Sequence, residues 1–348
     1  MVLAMLAHIS IGTYQQADIV SRIEKIARDA KLPAVAVHVV SKDGAIFSRA
    51  FGTHQWNGDT MASLKDQWHL GSCTKAFTAM EIGYLVDSGR LKFESTLKEA
   101  FSNEFIHESL AKVTLRDLLA HRSGLEANYS WRTLAPVGAP LVERRGKIVR
   151  HILAQPVHAE KIGSYSYSNA GYFLAGEVAA SSKGKPIEEL LEGTFKRLGV
   201  EKFGFGQMGI ADPWPHRGIV PLDPSKGVFD NDEVVTSAGR VHMPITEWGK
   251  IGSQHLRGLL KQPTQLPKSY IQELTQSPDS YNAAVGWMRQ RSERYGKIYF
   301  HVGSNTLNYA SIVIVPSIDR AVLVCTNTGL HAQEAVDKIT AELLRAHS

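Results

Sequence analysis

The 348-residue chain predicts a mixed α/β fold of the α+β type, with one antiparallel sheet assembled from both chain ends. Three observations carry that prediction. Ala34 to Val40 is apolar and β-branched, Lys42-Asp43-Gly44 is a turn, and Ala45 to Phe51 follows, which together signal a β-hairpin. Strand-like runs return only near the other end, at Tyr281 to Gln290, Lys297 to Val302, Asn308 to Val315 and Arg320 to Thr326. Between Lys92 and Asn231 strand signals are scarce and helical spacing dominates. One sheet covered by both terminal helices, with a mostly helical lobe inserted, buries these apolar faces.

The elements follow in order. Ala17 to Ala30 places Ile19, Val20, Ile23, Ile26 and Ala27 at helical spacing, and Pro33 ends it. Gln67 to Gly71 leads into a helix from about Cys73 to Ser88, with Gly89 as its stop. That helix is apolar nearly all round, so it should be buried. Val113 to Ala120, Leu141 to Leu153, Ala170 to Ser181 and Pro186 to Leu198 supply the helices of the inserted lobe. Gly204 to Phe229, with four prolines, reads as a long loop, the kind that is usually functional or mobile. Ile245 to Leu256 and the amphipathic Ala332 to Ala346 complete the helices. Residues 1–92 and 236–348 then form the sheet lobe and 93–235 the helical lobe, with the active site expected between them.

Composition narrows the function. Hydrophobic residues at 43% and charged residues at 21% fit an ordinary globular protein. The net charge of +5 is scattered, and its one small cluster (Arg144, Arg145, Lys147, Arg150) reads as a solvated helix face, so no nucleic-acid partner is expected. No apolar run reaches the length of a transmembrane helix. Met1 to Ile11 lacks a basic start and a full apolar segment. As given, the sequence therefore reads as cytoplasmic, or as periplasmic or secreted if a leader has been removed. Cys73 and Cys325 suggest no disulfide framework, and no Cys/His spacing suggests a metal, so no cofactor is expected. The oligomeric state is not legible.

The chemistry centres on Ser72 and Lys75, three apart on one face of the buried helix. A lysine in a first turn opposes the helix dipole, and burial also favours its neutral form. Keeping it neutral near pH 7 costs about 4 kcal/mol, and a neutral amine beside a hydroxyl activates a serine nucleophile without a histidine. Ser-x-x-Lys also occurs at Ser95/Lys98, Ser109/Lys112 and Ser182/Lys185, but in polar or turn contexts where the lysine stays solvated. Tyr167-x-Asn169 is unique in the chain. Such a tyrosine can act as base or relay for the lysine, and the asparagine amide can bond both the lysine and a substrate carbonyl. Read alone, the stretch is also a Ser/Tyr-rich turn with Asn169 capping the next helix. His301-Val302-Gly303-Ser304 ends a strand, and Gly303 permits close backbone approach. An N–H there, paired with that of Ser72, makes an oxyanion hole. The plain alternative is a strand-end histidine.

These three motifs in this order resemble the serine β-lactamase and penicillin-recognising hydrolase superfamily, in its class C-like branch of β-lactamases, D-alanyl-D-alanine carboxypeptidases, D-aminopeptidases and family VIII carboxylesterases. Leu32 to Val37, Val113 to Leu125, Ser237-Ala238-Gly239 and Val285-Gly286-Trp287 are similar to further landmarks of that branch. The resemblance implies a β-lactamase/transpeptidase-like fold and an acyl-enzyme mechanism. Ser72 would be the acylated nucleophile, Lys75 its base partner, and Tyr167 the group that helps deprotonate Ser72 and protonates the leaving group. Asn169 would hold the acyl side chain, and the N–H groups of Ser72 and Ser304 would form the oxyanion hole. Tyr129, Trp131, Trp214 and Phe229 would line the cleft. His301 stands where β-lactamases of this class usually carry a lysine. A mostly neutral histidine there resembles peptidase-like and esterase-like members. The expectation is an esterase or D-amino-acid peptidase/amidase with weak β-lactam hydrolysis. The alternatives are a class C-like β-lactamase proper, or a slow-turnover penicillin-binding sensor.

Overall fold

The computed structural model describes residues 18–278 and 283–347, so Met1 to Ile11, Ala17 and the start of the expected strand at Tyr281 lie outside the described residues. The chain opens with α1 (residues 18–29), then the hairpin β1 (Ala34–Ser41) and β2 (Gly44–Gly52). β3 (Gln67–His69) and α2 (Thr74–Asp87) follow. The helical stretch contains α3 (Leu97–Ala100), α4 (Leu115–Leu119), α5 (Trp131–Leu134), α6 (Leu141–Leu153), α7 (Asn169–Lys183) and α8 (Ile187–Arg197). Next come β4 (Gly204–Phe205), β5 (His216–Arg217), β6 (Val220–Pro221), α9 (Thr236–Gly239), β7 (Val241–Pro244), α10 (Ile245–Leu259) and α11 (Lys268–Gln276). β8 (Ala283–Ala284), β9 (Trp287–Ser292), β10 (Gly296–Ser304), β11 (Tyr309–Val315), β12 (Arg320–Thr326) and α12 (Gln333–Ala346) complete it.

The main sheet runs β2-β1-β12-β11-β10-β9-β8, with every neighbouring pair antiparallel. Both chain ends therefore meet in its centre, where Val35 pairs with Thr326 and Val39 with Val322. Side chains alternate across the pleat. Val35, Val37, Val39, Val322 and Val324 face α1 and α12, while Ala34, Ala36, Leu323 and Cys325 face the core that holds α2 and α10. Because both faces are covered, these strands are apolar throughout, as their sequence shows. α2 is buried over eleven of its fourteen residues. No helix among the described residues is long and apolar enough to cross a membrane.

Four local features differ from expectation. α11 carries no strong sequence signal, since Lys268 to Gln276 is largely polar and buries only Tyr270 and Leu274. The strand expected from Tyr281 to Gln290 is broken into β8 and β9 by a turn at Gly286, whose φ is +81°. A Cβ at Gly286 would lie 2.7 Å from Ala76 Cα, so this turn is pressed onto α2. The 204–229 loop contains three short strands, and β4 joins β3 and β7 in a small second sheet. The basic cluster on α6 is not a solvated face. Arg144 and Arg145 are buried, and their guanidinium groups meet Asp232 and Glu233, and Glu188, respectively, at 2.5–3.0 Å. Only Lys147 and Arg150 of that cluster are exposed. Residues 232–233, directly after the long loop, are thereby tied to α6.

Candidate active site

Ser72 sits in a 3-10 turn, Gly71–Cys73, that feeds directly into α2. Lys75, in the first turn of α2, is fully buried, and its Nζ lies 3.1 Å from Ser72 Oγ, 2.7 Å from Asn169 Oδ1 and 2.7 Å from the carbonyl oxygen of Ala238. Burial brings the Lys75 amine down to about 7. A neutral amine has two N–H donors and one lone pair. Nζ reaches three oxygens at once, Ser72 Oγ among them.

Tyr167 arrives from the segment before α7, and its hydroxyl donates to Ser72 Oγ at 2.7 Å. Burial pushes the phenol above its ordinary range, so it holds its proton through the range in which Lys75 titrates. Ser72 Oγ thus lies within hydrogen-bond distance of both the Lys75 amine and the Tyr167 hydroxyl. The Tyr167 ring stacks on His121, with centroids 4.4 Å apart. His121 has a φ of +57°, a conformation uncommon outside glycine, and its Nδ1 accepts from the Ser168 amide at 3.0 Å. Asn169 is the first residue of α7, one past the Ser168 cap, whose hydroxyl accepts from Gly171 N. The Asn169 Nδ2 donates to Asn128 Oδ1 at 2.9 Å, which turns its Oδ1 toward Lys75.

The third side is backbone. β10 ends against the Ser72 turn so closely that a Cβ on Gly303 would lie 2.0 Å from the Leu70 carbonyl oxygen and 2.7 Å from Ser72 N. A Cβ on Gly71, whose φ is +49°, would lie 2.4 Å from Ser304 N. These two glycines let the amides of Ser72 and Ser304 converge. His301 is buried on β10, and its Nδ1 lies 2.7 Å from its neighbour's carbonyl, Val302 O. Burial, with the nearby Lys75 charge adding to it, lowers His301 to about 3, so it is neutral at any ordinary pH. Cys73 faces the sheet instead of Lys75, with Sγ 3.6 Å from the His301 carbonyl, and burial holds its thiol protonated.

A cavity of about 90 Å³ opens over this group, lined by Ser72, Asn128, Trp131, Asn169, Asn231, Asp232, Val235, Ala238, Gly239 and Ser304. A larger hollow of about 490 Å³, between residues 135–139 and α6, is lined by no serine or cysteine. Of the four aromatics expected at the cleft, Trp131 lines the cavity and Tyr129 packs behind it at 5.8 Å. Trp214 is instead bonded to Ile210 O, His54 O and Asn327, and Phe229 covers Gly227. Neither is among the residues lining the cavity. Sequence reasoning missed Asn128, Asn231 and Asp232, which carry no motif. The bond from Lys75 to Ala238 O gives the Ser237-Ala238-Gly239 stretch a place in the site that its sequence does not announce.

The Beta-lactamase family model matches residues 19–347. The chain belongs to the Beta-lactamase family. Among relatives, it is 25% identical over 347 residues to Protein flp of Staphylococcus aureus strain MW2, covering 94% of this chain and 65% of that one. It is 23% identical over 241 residues to a putative D-alanyl-D-alanine carboxypeptidase of Escherichia coli O157:H7, covering 64% and 53%. It is 24% identical over 169 residues to the unguisins hydrolase ungD of Aspergillus violaceofuscus strain CBS 115571, covering 47% and 29%. The chain thus spans between 29% and 65% of the length of these relatives. The β-lactamase fold is shared with solved structures. SurE with D-Leu superposes with a TM-score of 0.76 at 19% identity, covering 96% of this chain and 76% of that one. D-alanine carboxypeptidase AmpC from Burkholderia cenocepacia superposes with a TM-score of 0.74 at 12% identity, covering 96% and 99%.

Proposed function

We propose that this β-lactamase-family protein is a serine hydrolase that forms a Ser72 acyl-enzyme with small esters or amides, as an esterase or a D-amino-acid peptidase/amidase, and hydrolyses β-lactams only weakly. The observation that carries this is the Ser72 hydroxyl held between a lysine poised near 7 and a protonated tyrosine. Ser72 Oγ attacks the carbonyl carbon while its proton passes to Lys75 Nζ. The oxyanion rests on the Ser72 and Ser304 amides. The Tyr167 O–H then protonates the departing alcohol or amine and is recharged by the Lys75 ammonium. Water, deprotonated by the same pair, cleaves the acyl-enzyme and restores Ser72.

The substrate lean rests on His301. A lysine there would offer a fixed cation to a substrate carboxylate, whereas a histidine neutral down to about 3 offers none. A Bacillus subtilis relative named N-acetylmuramyl-L-alanine amidase fits the amidase reading. The test is a kinetic panel of nitrocefin, p-nitrophenyl butyrate and D-alanine p-nitroanilide. The ester or the anilide is expected to give the highest kcat/KM; nitrocefin as the fastest of the three would overturn the lean.

A further inference from the structure

Beneath the proposed oxyanion hole, buried polar groups link both backbone arms to one carboxylate. His69, at the end of β3, accepts the Gly71 amide on Nδ1 at 3.1 Å. Its Nε2 lies 2.9 Å from Asp230 Oδ1, a close electrostatic contact without hydrogen-bond alignment. On the other arm, Asn305 follows Ser304 directly, and its Nδ2 donates to the same Asp230 Oδ1 at 3.2 Å. The Asn305 Oδ1 accepts the amides of Leu307 and Asn308, which fixes the turn after β10. The second carboxylate oxygen of Asp230 accepts from Arg240 Nε at 3.0 Å. The side chains of His69 and Asp230 are 1% and 0% exposed, so the carboxylate is enclosed by His69, Asn305 and Arg240.

We propose that Asp230 is the positioning residue of the oxyanion hole, acting through His69 on the Gly71–Ser72 arm and through Asn305 on the Ser304 arm. The inference rests on the Ser72 acyl-enzyme reading above. Asp230 touches neither substrate nor nucleophile. Its role is to hold two amides, from chain segments more than two hundred residues apart, at the spacing one oxygen needs. A buried carboxylate suits this because it accepts from several donors at once. The Gly71 turn has a φ of +49°, and no side chain of its own holds it there. His69 supplies that hold, and the Asp230 carboxylate, 2.9 Å from Nε2, orients the His69 ring. Asp230 is not on the sequence motifs. It lies in Phe229-Asp230-Asn231-Asp232, at the end of the long loop, which gives that loop a function other than contact with substrate.

The test compares Asp230→Asn and His69→Asn with the parent chain, using p-nitrophenyl butyrate for turnover and phenylboronic acid as a tetrahedral analogue. Asn at 230 keeps the shape but turns an N–H toward a donor. Asn at 69 keeps an acceptor for Gly71 but does not reach Asp230. Both are expected to lower kcat about 10–100-fold, somewhat less than the 10²–10³ of losing an oxyanion donor outright. KM should stay within about threefold, and phenylboronic acid inhibition should weaken in parallel with kcat/KM. A purely structural role would instead lower Tm and leave kcat of the folded fraction unchanged. Wild-type kcat in either folded variant, or a loss confined to KM, would overturn the proposal. If Asp230→Asn does not fold, His69→Asn decides alone. Ser72→Ala is run alongside. Turnover that survives Ser72→Ala contradicts the acyl-enzyme reading, whereas a dead Ser72→Ala beside a fully active Asp230→Asn contradicts only the role of Asp230.

Discussion

The two sides of Ser72 are built from different materials. On one side Lys75, Tyr167 and Asn169 hold protons with side chains, and their residue types alone announce what they can do. On the other side Ser72 and Ser304 offer backbone amides, brought together by Gly71 and Gly303, and the arrangement depends on how closely two chain segments approach. On the proposed reading, the proton side should tolerate no change of chemistry and the oxyanion side no change of volume. Substitutions that respect one demand and violate the other separate the two.

The largest expected effect is on the backbone side. Gly303→Ala adds a methyl group 2.0 Å from Leu70 O and 2.7 Å from Ser72 N, both backbone atoms with little room to yield. Displacing both arms at once should cost at least about 10³ in kcat, measured with p-nitrophenyl butyrate beside a circular dichroism check of folding. Residual activity above a tenth of wild type would show that the arms can part without losing the hole.

Lys75→Met comes next, on the proton side. It keeps the volume, removes the base and should lower kcat by about 10²–10⁴. Its stability carries a separate signature. The folded amine titrates near 7 and the unfolded amine near 10.4, so the unfolded chain binds the extra proton between those values. Wild-type stability attributable to Lys75 therefore rises with pH across that window. The stability of Lys75→Met relative to wild type should fall steadily between about pH 7 and pH 10, as read from urea midpoints. A pH-independent difference would mean that the lysine is protonated in both states.

The pH dependence of the intact protein is a smaller effect of the same cause. kcat/KM should rise with pH around a midpoint of about 7, as Lys75 loses its proton. His301, neutral down to about 3, contributes no limb near neutrality. A flat profile from pH 5 to 9 would remove Lys75 as the base. The smallest change is one of preference. His301→Lys supplies a cation, and the ratio of nitrocefin to p-nitrophenyl butyrate turnover should increase roughly tenfold, the worth of one charged hydrogen bond. An unchanged ratio would place the discrimination in the loops.

The same contrast explains what was legible in the sequence. The hairpin, three of the four C-terminal strand runs and most long helices follow from apolar period and turn residues, and α6 and β12 match to the residue. Ser72, Lys75, Tyr167 and Asn169 were readable because their chemistry is unusual for a buried helix start and a turn. α11 was not, because it presents two buried residues and no periodic stripe. Arg144 and Arg145 misled because a basic pair looks solvated until its carboxylates, some ninety residues away on one side, fold against it. His69 and Asp230 were silent for the same reason: a histidine and an aspartate 161 positions apart carry no spacing that a linear pattern can register. Trp214 and Phe229 show the converse, since aromatic character in a loop does not say which way the ring turns.

The central claim is that Ser72 carries the acyl group. Its most direct test is the intact mass of wild-type and Ser72→Ala protein after exposure to a fluorophosphonate. The geometry predicts one adduct on the wild type, mapping to the peptide that contains Ser72, and none on Ser72→Ala. An adduct of the same yield on Ser72→Ala would contradict it.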